Sequence, residues 1–329
     1  MSRTTMVLTG ILALQIVVWG VASLDRQHVK ETRPFLALDT SQIDYIHIKN
    51  KDGEVSLQKV GATWKVTSPY NYTANDSYTE TLIEKLAELR EESIVSGSKG
   101  KWKDFEVDDS SAAYVEAGRQ GGVMDKFYCG KPSKTYTHTY MRRAGSDDVW
   151  LVSGTPRSSF TRRPKDWRDK SILELDRTMI ERVALNFSGE TVMLTREISA
   201  PGADTTLVKG DTTWKVVGSK GGALVADSKP LNRFFNTLTK LRAMDFLDAG
   251  EDTLPDFSKP DFSVEVYLEG NQHELLQFQP QGGDDAKRWV VRKQGIESTM
   301  FVVYESTIKN LKKQPADFKE EKKEKGDEA

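Results

Sequence analysis

The chain has 329 residues, of which 37% are hydrophobic and 29% charged, so it is long enough for two or three domains with real cores and polar surfaces. Its formal net charge of -2 argues against a broad basic surface of the kind that binds the phosphates of nucleic acid. The single cysteine, Cys129, excludes an internal disulfide and a cysteine-based zinc cluster, so we expect the folded chain to depend on its hydrophobic core alone.

The N-terminal segment is typical of a membrane signal. Residues 6–24 read MVLTGILALQIVVWGVASL, carry no charge and would form a helix about 28 Å long, close to the thickness of a bilayer core. We predict a transmembrane anchor here, with residues 1–5 in the cytoplasm because Arg3 precedes the apolar run, and a juxtamembrane linker at residues 25–40. The small residues at positions 20–23 leave a cleaved signal peptide, and hence a secreted form, as the alternative. Either interpretation exports the rest of the chain.

The rest of the chain predicts two copies of one unit. The stretch GATWKV, which begins at Gly61, returns as DTTWKV around Trp214, and in each copy two strands joined by a short turn precede it. A helical pattern and then a run of alternating strands follow in both copies. We therefore predict an α+β fold, with an N-terminal transmembrane helix and two tandem repeats of a strand-strand-strand-helix-meander antiparallel unit. The predicted repeats span residues 41–155 and 177–318, and a disordered charged tail follows at 319–329.

Both predicted helices carry N-terminal signals. In ANDSYTETLIEKLAELREESIV the predicted N-cap is Asp76 or Ser77, and in ADSKPLNRFFNTLTKLRAMDFL it is Asp227 or Ser228. Each helix has one apolar face, so we expect each helix to pack on a sheet.

The repeated tryptophans are predicted to occupy equivalent core positions. Trp64 and Trp214 each lie inside a strand pattern close to valine, where a large aromatic ring can join strand to helix. The alternative is a binding role, in which exposed rings stack on sugars or bases.

Residues 156–176 are predicted to be a basic linker between the copies. Arginine side chains suit phosphate or carboxylate groups, and the aromatic residues of the segment could enter an interface. The candidate binding residues are Arg157, Arg162, Arg163, Trp167 and Arg168. The alternative is an inter-domain hinge in which Trp167 is packed and Arg168 pairs with Asp169.

The order of motifs resembles a known family. GEVSLQKVGATWKV, LIEKLAEL, VWLVSG and WRDKSILELD, taken together, resemble the bacterial family catalogued as domain of unknown function 4340. The resemblance covers nearly all of the chain after the predicted anchor, including the duplication. It implies a single-pass inner-membrane protein with most of the chain in the periplasm, in the context of gliding-motility-type ABC-transporter auxiliary proteins. The family has no established catalytic residues, so none is carried over.

No catalytic, cofactor-binding or metal site is predicted from the residues. The four histidines, His28, His47, His138 and His273, are not accompanied by a G-x-S-x-G, H-E-x-x-H, CxxC or EF-hand pattern. His47 and His138 fall in alternating strands, where a solvated face is the simplest interpretation. The Gly-rich stretch at 117–122 lacks the Lys-Ser/Thr of a P-loop and predicts a hairpin turn.

Three functions are compatible with these patterns. We expect a non-catalytic scaffold or accessory subunit of an envelope or ABC-transport assembly, with the inner membrane and envelope or transporter proteins as partners and no nucleic acid. The first alternative is a lipid- or glycan-binding module that uses the cleft between the repeats. The second alternative is a cryptic hydrolase that uses a pair of carboxylates.

Overall fold

The computed structural model describes residues 33–37, 39–119, 122–198, 212–282 and 287–320. The chain divides into two compact units between Arg168 and Asp169. The anchor predicted at 6–24 and most of the predicted tail lie outside the described residues. Across the described ranges, no helix is both long enough and apolar enough to cross a bilayer.

The first unit is built on one nine-stranded antiparallel sheet with the strand order β4-β3-β2-β1-β6-β7-β8-β9-β5. Its strands are β1 Tyr45–Asn50, β2 Gly53–Val60, β3 Thr63–Ser68, β4 Tyr72–Thr73, β5 Glu91–Ser96, β6 Ala113–Arg119, β7 Gly122–Pro132, β8 His138–Arg143 and β9 Val149–Ser153. Alternation along β1 buries Ile46 and Ile48 and leaves His47 on the opposite face, as expected for a sheet that is covered on one side.

Among the described residues of this unit, three short helices accompany the sheet. They are α1 Asp76–Ala87, α2 Trp102–Phe105 and α3 Arg157–Phe160, with 3-10 turns at Thr40–Gln42, Lys99–Lys101 and Pro164–Trp167. Helix α1 buries Leu82 and Leu86, which belong to the same hydrophobic core as the inward-facing side chains of the sheet.

The second unit has a nine-stranded antiparallel sheet with the corresponding order, β13-β12-β11-β10-β15-β16-β17-β18-β14. Its strands are β10 Ile180–Phe187, β11 Glu190–Ile198, β12 Thr212–Gly218, β13 Leu224–Val225, β14 Asp245–Asp248, β15 Phe262–Leu268, β16 Gln272–Gln281, β17 Arg288–Lys293 and β18 Thr299–Tyr304. Its helices are α4 Ser228–Leu238 and α5 Glu305–Leu311, with 3-10 turns at Arg177–Met179 and Pro315–Phe318.

The predicted α+β class is wrong, because the chain is mainly β, with 46% of it in strands. Of the first segment predicted to be helical, only the twelve residues of α1 form a helix. The C-terminal part of that segment forms the edge strand β5, which pairs with β9. The second pattern likewise ends in β14, which pairs with β18. Each unit therefore places a strand between the helix and the meander. Pairing with a distant strand overrides the local helical pattern at these two positions.

The two repeated tryptophans take matching places in the two units. Trp64 lies in β3 and Trp214 in β12, and their side chains are both buried. The carbonyl oxygen of Trp64 accepts a hydrogen bond from the backbone N–H of Ala74 at 2.9 Å, and that of Trp214 accepts one from Ala226 at 2.9 Å. The repeat in the sequence therefore corresponds to a repeat in backbone contacts just before each helix.

The helix caps differ in detail between the units. Asn75 caps α1, since its side chain accepts a hydrogen bond from the backbone N–H of Tyr78 at 3.1 Å, one residue before the predicted Asp76. Asp227 is the N-cap residue of α4, but its carboxylate accepts from the backbone N–H of Glu320 at 2.9 Å. Asp227 therefore holds the end of the described chain rather than the first turn of the helix.

Much of the segment predicted as a linker belongs to the first unit. The unit boundary between Arg168 and Asp169 falls inside residues 156–176. Phe160 and Trp167 are both 0% exposed and belong to the core of the first unit. Their burial explains why this part of the chain is not free to act as a spacer.

The second unit ends with a segment that matches this one. We call Pro164–Trp167, which reads PKDW, and Pro315–Phe318, which reads PADF, the closing segments; both are 3-10 turns. The carbonyl oxygen of the last residue in each accepts a hydrogen bond from the N-cap residue of the helix, Asn75 at 2.8 Å and Asp227 at 2.9 Å. Each unit is thus completed by a short segment that places one aromatic ring beside its own helix.

Candidate functional site

Two of the candidate arginines of the predicted linker are held by carboxylates of the first unit. Arg157 Nη2 donates to Glu106 Oε2 at 2.8 Å, and Arg163 Nε donates to Asp166 Oδ2 at 2.7 Å. Their charges are therefore matched inside the unit, and a role in binding an external anion stays a prediction for them.

The other members of that group lie against aromatic rings. The guanidinium carbon of Arg162 is 3.5 Å from the ring centroid of Tyr78, and that of Arg168 is 4.0 Å from the ring centroid of Tyr70. Trp167 and Arg168 are both 0% exposed. These contacts give the side chains a structural role of cation–π packing, and their proposed binding role stays a prediction.

The histidines do not assemble a recognisable catalytic group in the part of the chain that is described. His47 Nδ1 lies 3.0 Å from Ser56 Oγ, and the two residues are opposite each other in the pairing of β1 with β2. This contact is an ordinary cross-strand pair on the exposed face of the sheet. His138 contacts the hydroxyl of Thr137 at 2.7 Å, and His273 lies in β16. His28 falls outside the described residues.

Among the described residues, no three His, Cys, Asp or Glu side chains are grouped so that they could hold a metal ion. Cys129 is completely buried in β7, and burial raises the pKa of its thiol to about 12.

A groove of about 670 Å³ lies in the second unit, between the ends of β11 and β12, the start of α4 and the 3-10 turn before β10. We call it the second-unit groove. It is lined by Arg177, Thr178, Met179, Arg196, Ile198, Thr212, Thr213, Trp214, Val225, Ala226, Ser228, Leu231, Asn232 and Glu269.

Apolar atoms contribute most of the surface of this groove. Trp214 and Leu231 are buried, while Met179, Ile198 and Val225 are exposed by 43%, 62% and 50%. Single exposed apolar side chains are common on protein surfaces, but three that line one concave surface are typical of a binding site. The groove can therefore remove apolar surface of a ligand from water.

Two arginines flank the apolar surface, and their partners differ. Arg196 donates to the carboxylate of Glu269 and to the carbonyl oxygen of Thr178, so its charge is matched. Arg177 Nη1 donates to the side-chain oxygen of Asn232 at 2.6 Å, which is a neutral partner. Burial lowers the pKa of the Arg177 guanidinium from its ordinary value, although an arginine remains charged at neutral pH.

An aromatic ring supports the second of these cations. The guanidinium carbon of Arg177 is 4.4 Å from the ring centroid of Phe235, which in turn packs 4.5 Å from the ring of Trp214. Arg177 is thus held at the side of the groove by a neutral hydrogen bond and a cation–π contact.

At two places of the groove the first unit has polar residues instead. Val225 is opposite Lys215 in the pairing of β12 with β13, and Thr73 is opposite Lys65 in the pairing of β3 with β4. The 3-10 turn before the first strand reads Arg-Thr-Met in the second unit and Thr-Ser-Gln in the first. Among the described residues, the exposed valine of β13 and the Arg-Thr-Met turn therefore have polar, uncharged counterparts in the first unit.

The number of residues between the second and third strands differs between the units as well. Gly61 and Ala62 alone separate β2 from β3, whereas residues 199–211 separate β11 from β12. Sequence reasoning did not identify this groove. The available signal was this insertion within the repeat, since insertions in otherwise matching repeats often mark a functional face.

Comparison with known proteins gives one match. A family model described as Domain of unknown function (DUF4340) matches residues 64–253, from β3 of the first unit to just beyond β14 of the second. No curated protein and no solved structure matches the chain. The match includes Trp214, Val225 and Leu231 of the groove, while Arg177 and Met179 lie in the same matched range.

Proposed function

The chain belongs to the family described as Domain of unknown function (DUF4340), and we propose that it is a non-catalytic binding protein whose second unit accommodates the hydrocarbon chain of a lipid. The observation that carries this proposal is the second-unit groove, in which three exposed apolar side chains surround a buried tryptophan and leucine. Its volume of about 670 Å³ falls in the range of roughly 300–1,000 Å³ that is usual for ligand sites.

The apolar surface favours a hydrocarbon chain over a glycan. A glycan site needs an accessible aromatic ring and several hydrogen-bonding groups, whereas Trp214 is only 4% exposed. A hydrocarbon chain gains about 0.8 kcal/mol for each methylene removed from water, so about ten buried methylenes contribute roughly 8 kcal/mol before the ordering costs are subtracted. The cation at the side of the groove complements the anionic head groups that many lipids carry.

The proposed location follows from the predicted anchor. A segment such as residues 6–24 would hold the two units at the outer face of the inner membrane, where lipids are at hand. In this position the protein would serve as an accessory subunit that presents a lipid to envelope or transporter proteins. This part of the proposal rests on the sequence pattern of the anchor and on the resemblance to the family.

A photo-crosslinking experiment in cells tests the binding proposal. Cells that produce the full chain are fed a 16-carbon fatty acid with a diazirine near the end of its chain, which enters their lipids, and are then irradiated. Mass spectrometry of the isolated protein locates the crosslinks. We expect crosslinked peptides that contain Met179, Val225 or Leu231, in addition to any from the predicted anchor.

Two exposed valines provide the variant and its control. Val225→Asp places a charge in the groove and should reduce the groove crosslinks at least fivefold, because a bound hydrocarbon chain would have to cover the carboxylate and remove it from water. Val60→Asp changes a side chain of the first unit that is 52% exposed, compared with 50% for Val225, and should leave those crosslinks unchanged. Crosslinks confined to the anchor, or equally reduced by both variants, would contradict a lipid site in the groove.

A further inference from the structure

The charged side chains of the second-unit groove do not balance. Among the described residues that line it, Arg177 and Arg196 contribute two positive charges and Glu269 one negative charge, which leaves one positive charge. The nearby Asp227 does not alter this balance, since Lys319 Nζ lies 3.1 Å from its carboxylate. A ligand that fills the groove therefore meets one excess positive charge.

The excess charge is located on Arg177. Arg196 is 12% exposed and is paired with Glu269, so its charge is compensated within the unit. In the described part of the chain, the hydrogen bond of Arg177 goes to Asn232, and one face of its guanidinium lies over the ring of Phe235. An arginine has five N–H donors, so donors remain on Arg177 for a ligand.

Arg177 and the apolar side chain of Met179 lie on one short turn. The 3-10 turn that carries them is fixed by Asp176, whose side chain accepts from the backbone N–H of Thr178 at 2.9 Å and from its hydroxyl at 2.8 Å. Met179 lies two residues further on the same turn and contributes to the apolar surface. One short turn thus places a cation and the start of an apolar surface side by side, which matches a charged head joined to a hydrocarbon chain.

From this arrangement we propose that the lipid of the groove carries an anionic head group, a carboxylate or a phosphate, and that Arg177 is the residue that selects it. This inference rests on the proposed function. A guanidinium forms two parallel hydrogen bonds with either group, and partial removal from water strengthens that interaction. Arg177, which is partly buried and donates to a neutral partner, gains a counter-charge from such a head group.

A competition experiment tests the selection. The full chain is reconstituted in phosphatidylcholine vesicles and photolabelled with the diazirine fatty acid, and the groove peptides are quantified. Unlabelled competitors share a 16-carbon chain and differ in head group: palmitate with a carboxylate, monopalmitoyl phosphatidic acid with a phosphate, and monopalmitoyl glycerol with no charge. We expect both anionic competitors to displace the label at about tenfold lower concentration than the neutral one, and their ranking distinguishes a carboxylate from a phosphate site.

Arg177→Gln removes the charge and keeps a side chain that can still bond to Asn232. In this variant the preference for anionic competitors should fall below about twofold, while a neutral diazirine monoglyceride still labels the groove. Lys229→Gln removes a nearby exposed charge that is not part of the groove and should keep the tenfold preference. If the groove is labelled and neutral and anionic lipids compete equally in the unaltered protein, the selection by charge is wrong and the proposed function stands. If no lipid labels the groove at all, the proposed function fails and this inference fails with it.

Discussion

Replacement of Trp167 by alanine tests whether the segment 156–168 is part of the first unit or a spacer after it. Trp167 is 0% exposed and belongs to the same core as Leu82 and Phe160. A tryptophan in a flexible linker would contribute little to stability, whereas a tryptophan in a core contributes through its full buried area.

The expected cost follows from the contacts of the ring. A buried aromatic side chain of this size removes about 200 Å² from water, which at about 25 cal/mol per Å² gives an upper value near 5 kcal/mol. The indole N–H has no hydrogen-bond partner in the described residues, so no hydrogen bond is lost. The backbone bond from Asn75 to the carbonyl oxygen of residue 167 is unaffected by the substitution. We therefore expect Trp167→Ala to lower the free energy of unfolding of the first unit by about 3–5 kcal/mol.

Hydrogen exchange of the full chain, read by mass spectrometry, measures this effect unit by unit. Peptides from β3 and α1 should exchange roughly 10²–10⁴-fold faster in Trp167→Ala, while peptides from β12 and α4 serve as the internal reference. Phe318→Ala should give the mirrored result in the second unit, since Phe318 is 1% exposed and packs edge to face on Phe234 at 5.4 Å. Arg163→Ala, an exposed change in the same segment as Trp167, should alter stability by less than about 1 kcal/mol. Equal exchange in Trp167→Ala and Arg163→Ala would refute the assignment of this segment to the core.

Two further predictions concern strand β7. A methyl group at residue 130 would lie 2.3 Å from the carbonyl oxygen of Phe105, so Gly130→Ala should destabilise the first unit by about 3 kcal/mol in urea denaturation. A methyl group at residue 222 would have no atom within 4 Å, so Gly222→Ala should be nearly neutral. Similar midpoints for the two variants would contradict this packing. Because burial raises the pKa of the Cys129 thiol to about 12, the thiolate population at pH 8 is very small. A thiol reagent should therefore label the native chain roughly 10²–10³-fold more slowly than the urea-unfolded chain. Rapid labelling with an intact circular dichroism spectrum would show instead that the thiol is accessible.

The structure shows where local sequence patterns were overruled. The pattern ELREESIV continues the helical spacing of α1, yet Glu91–Ser96 is an edge strand with irregular pairing to β9. The same replacement occurs at β14 in the second unit. A local pattern records which side chains share a helix face, but it does not record the backbone hydrogen bonds that a distant strand offers, and those bonds decide the outcome here.

The candidate site could not be predicted from the sequence for a related reason. Met179, Ile198 and Val225 are far apart in the chain, and each by itself is an ordinary apolar residue at the end of an element. In the sequence, Arg177 is one basic residue among many. The arginines of residues 156–168 were predicted to bind anions because they are clustered in the sequence. Most of those clustered arginines are held by neighbours in the first unit. Arg177, whose hydrogen-bond partner is neutral, does not belong to a cluster of basic residues in the sequence.

The sequence by itself determined the duplication and the turns. Thr-Trp-Lys-Val occurs twice, and the short turn expected between the first two strands of the second copy is made by Ser188 and Gly189, which both have the positive φ that such tight hairpins require. These features depend on near neighbours in the chain. Only the tertiary structure decided the order of the nine strands, the closing segments and the groove. Each of them depends on contacts between residues that lie tens of positions apart, and local sequence patterns do not determine the energy of such contacts.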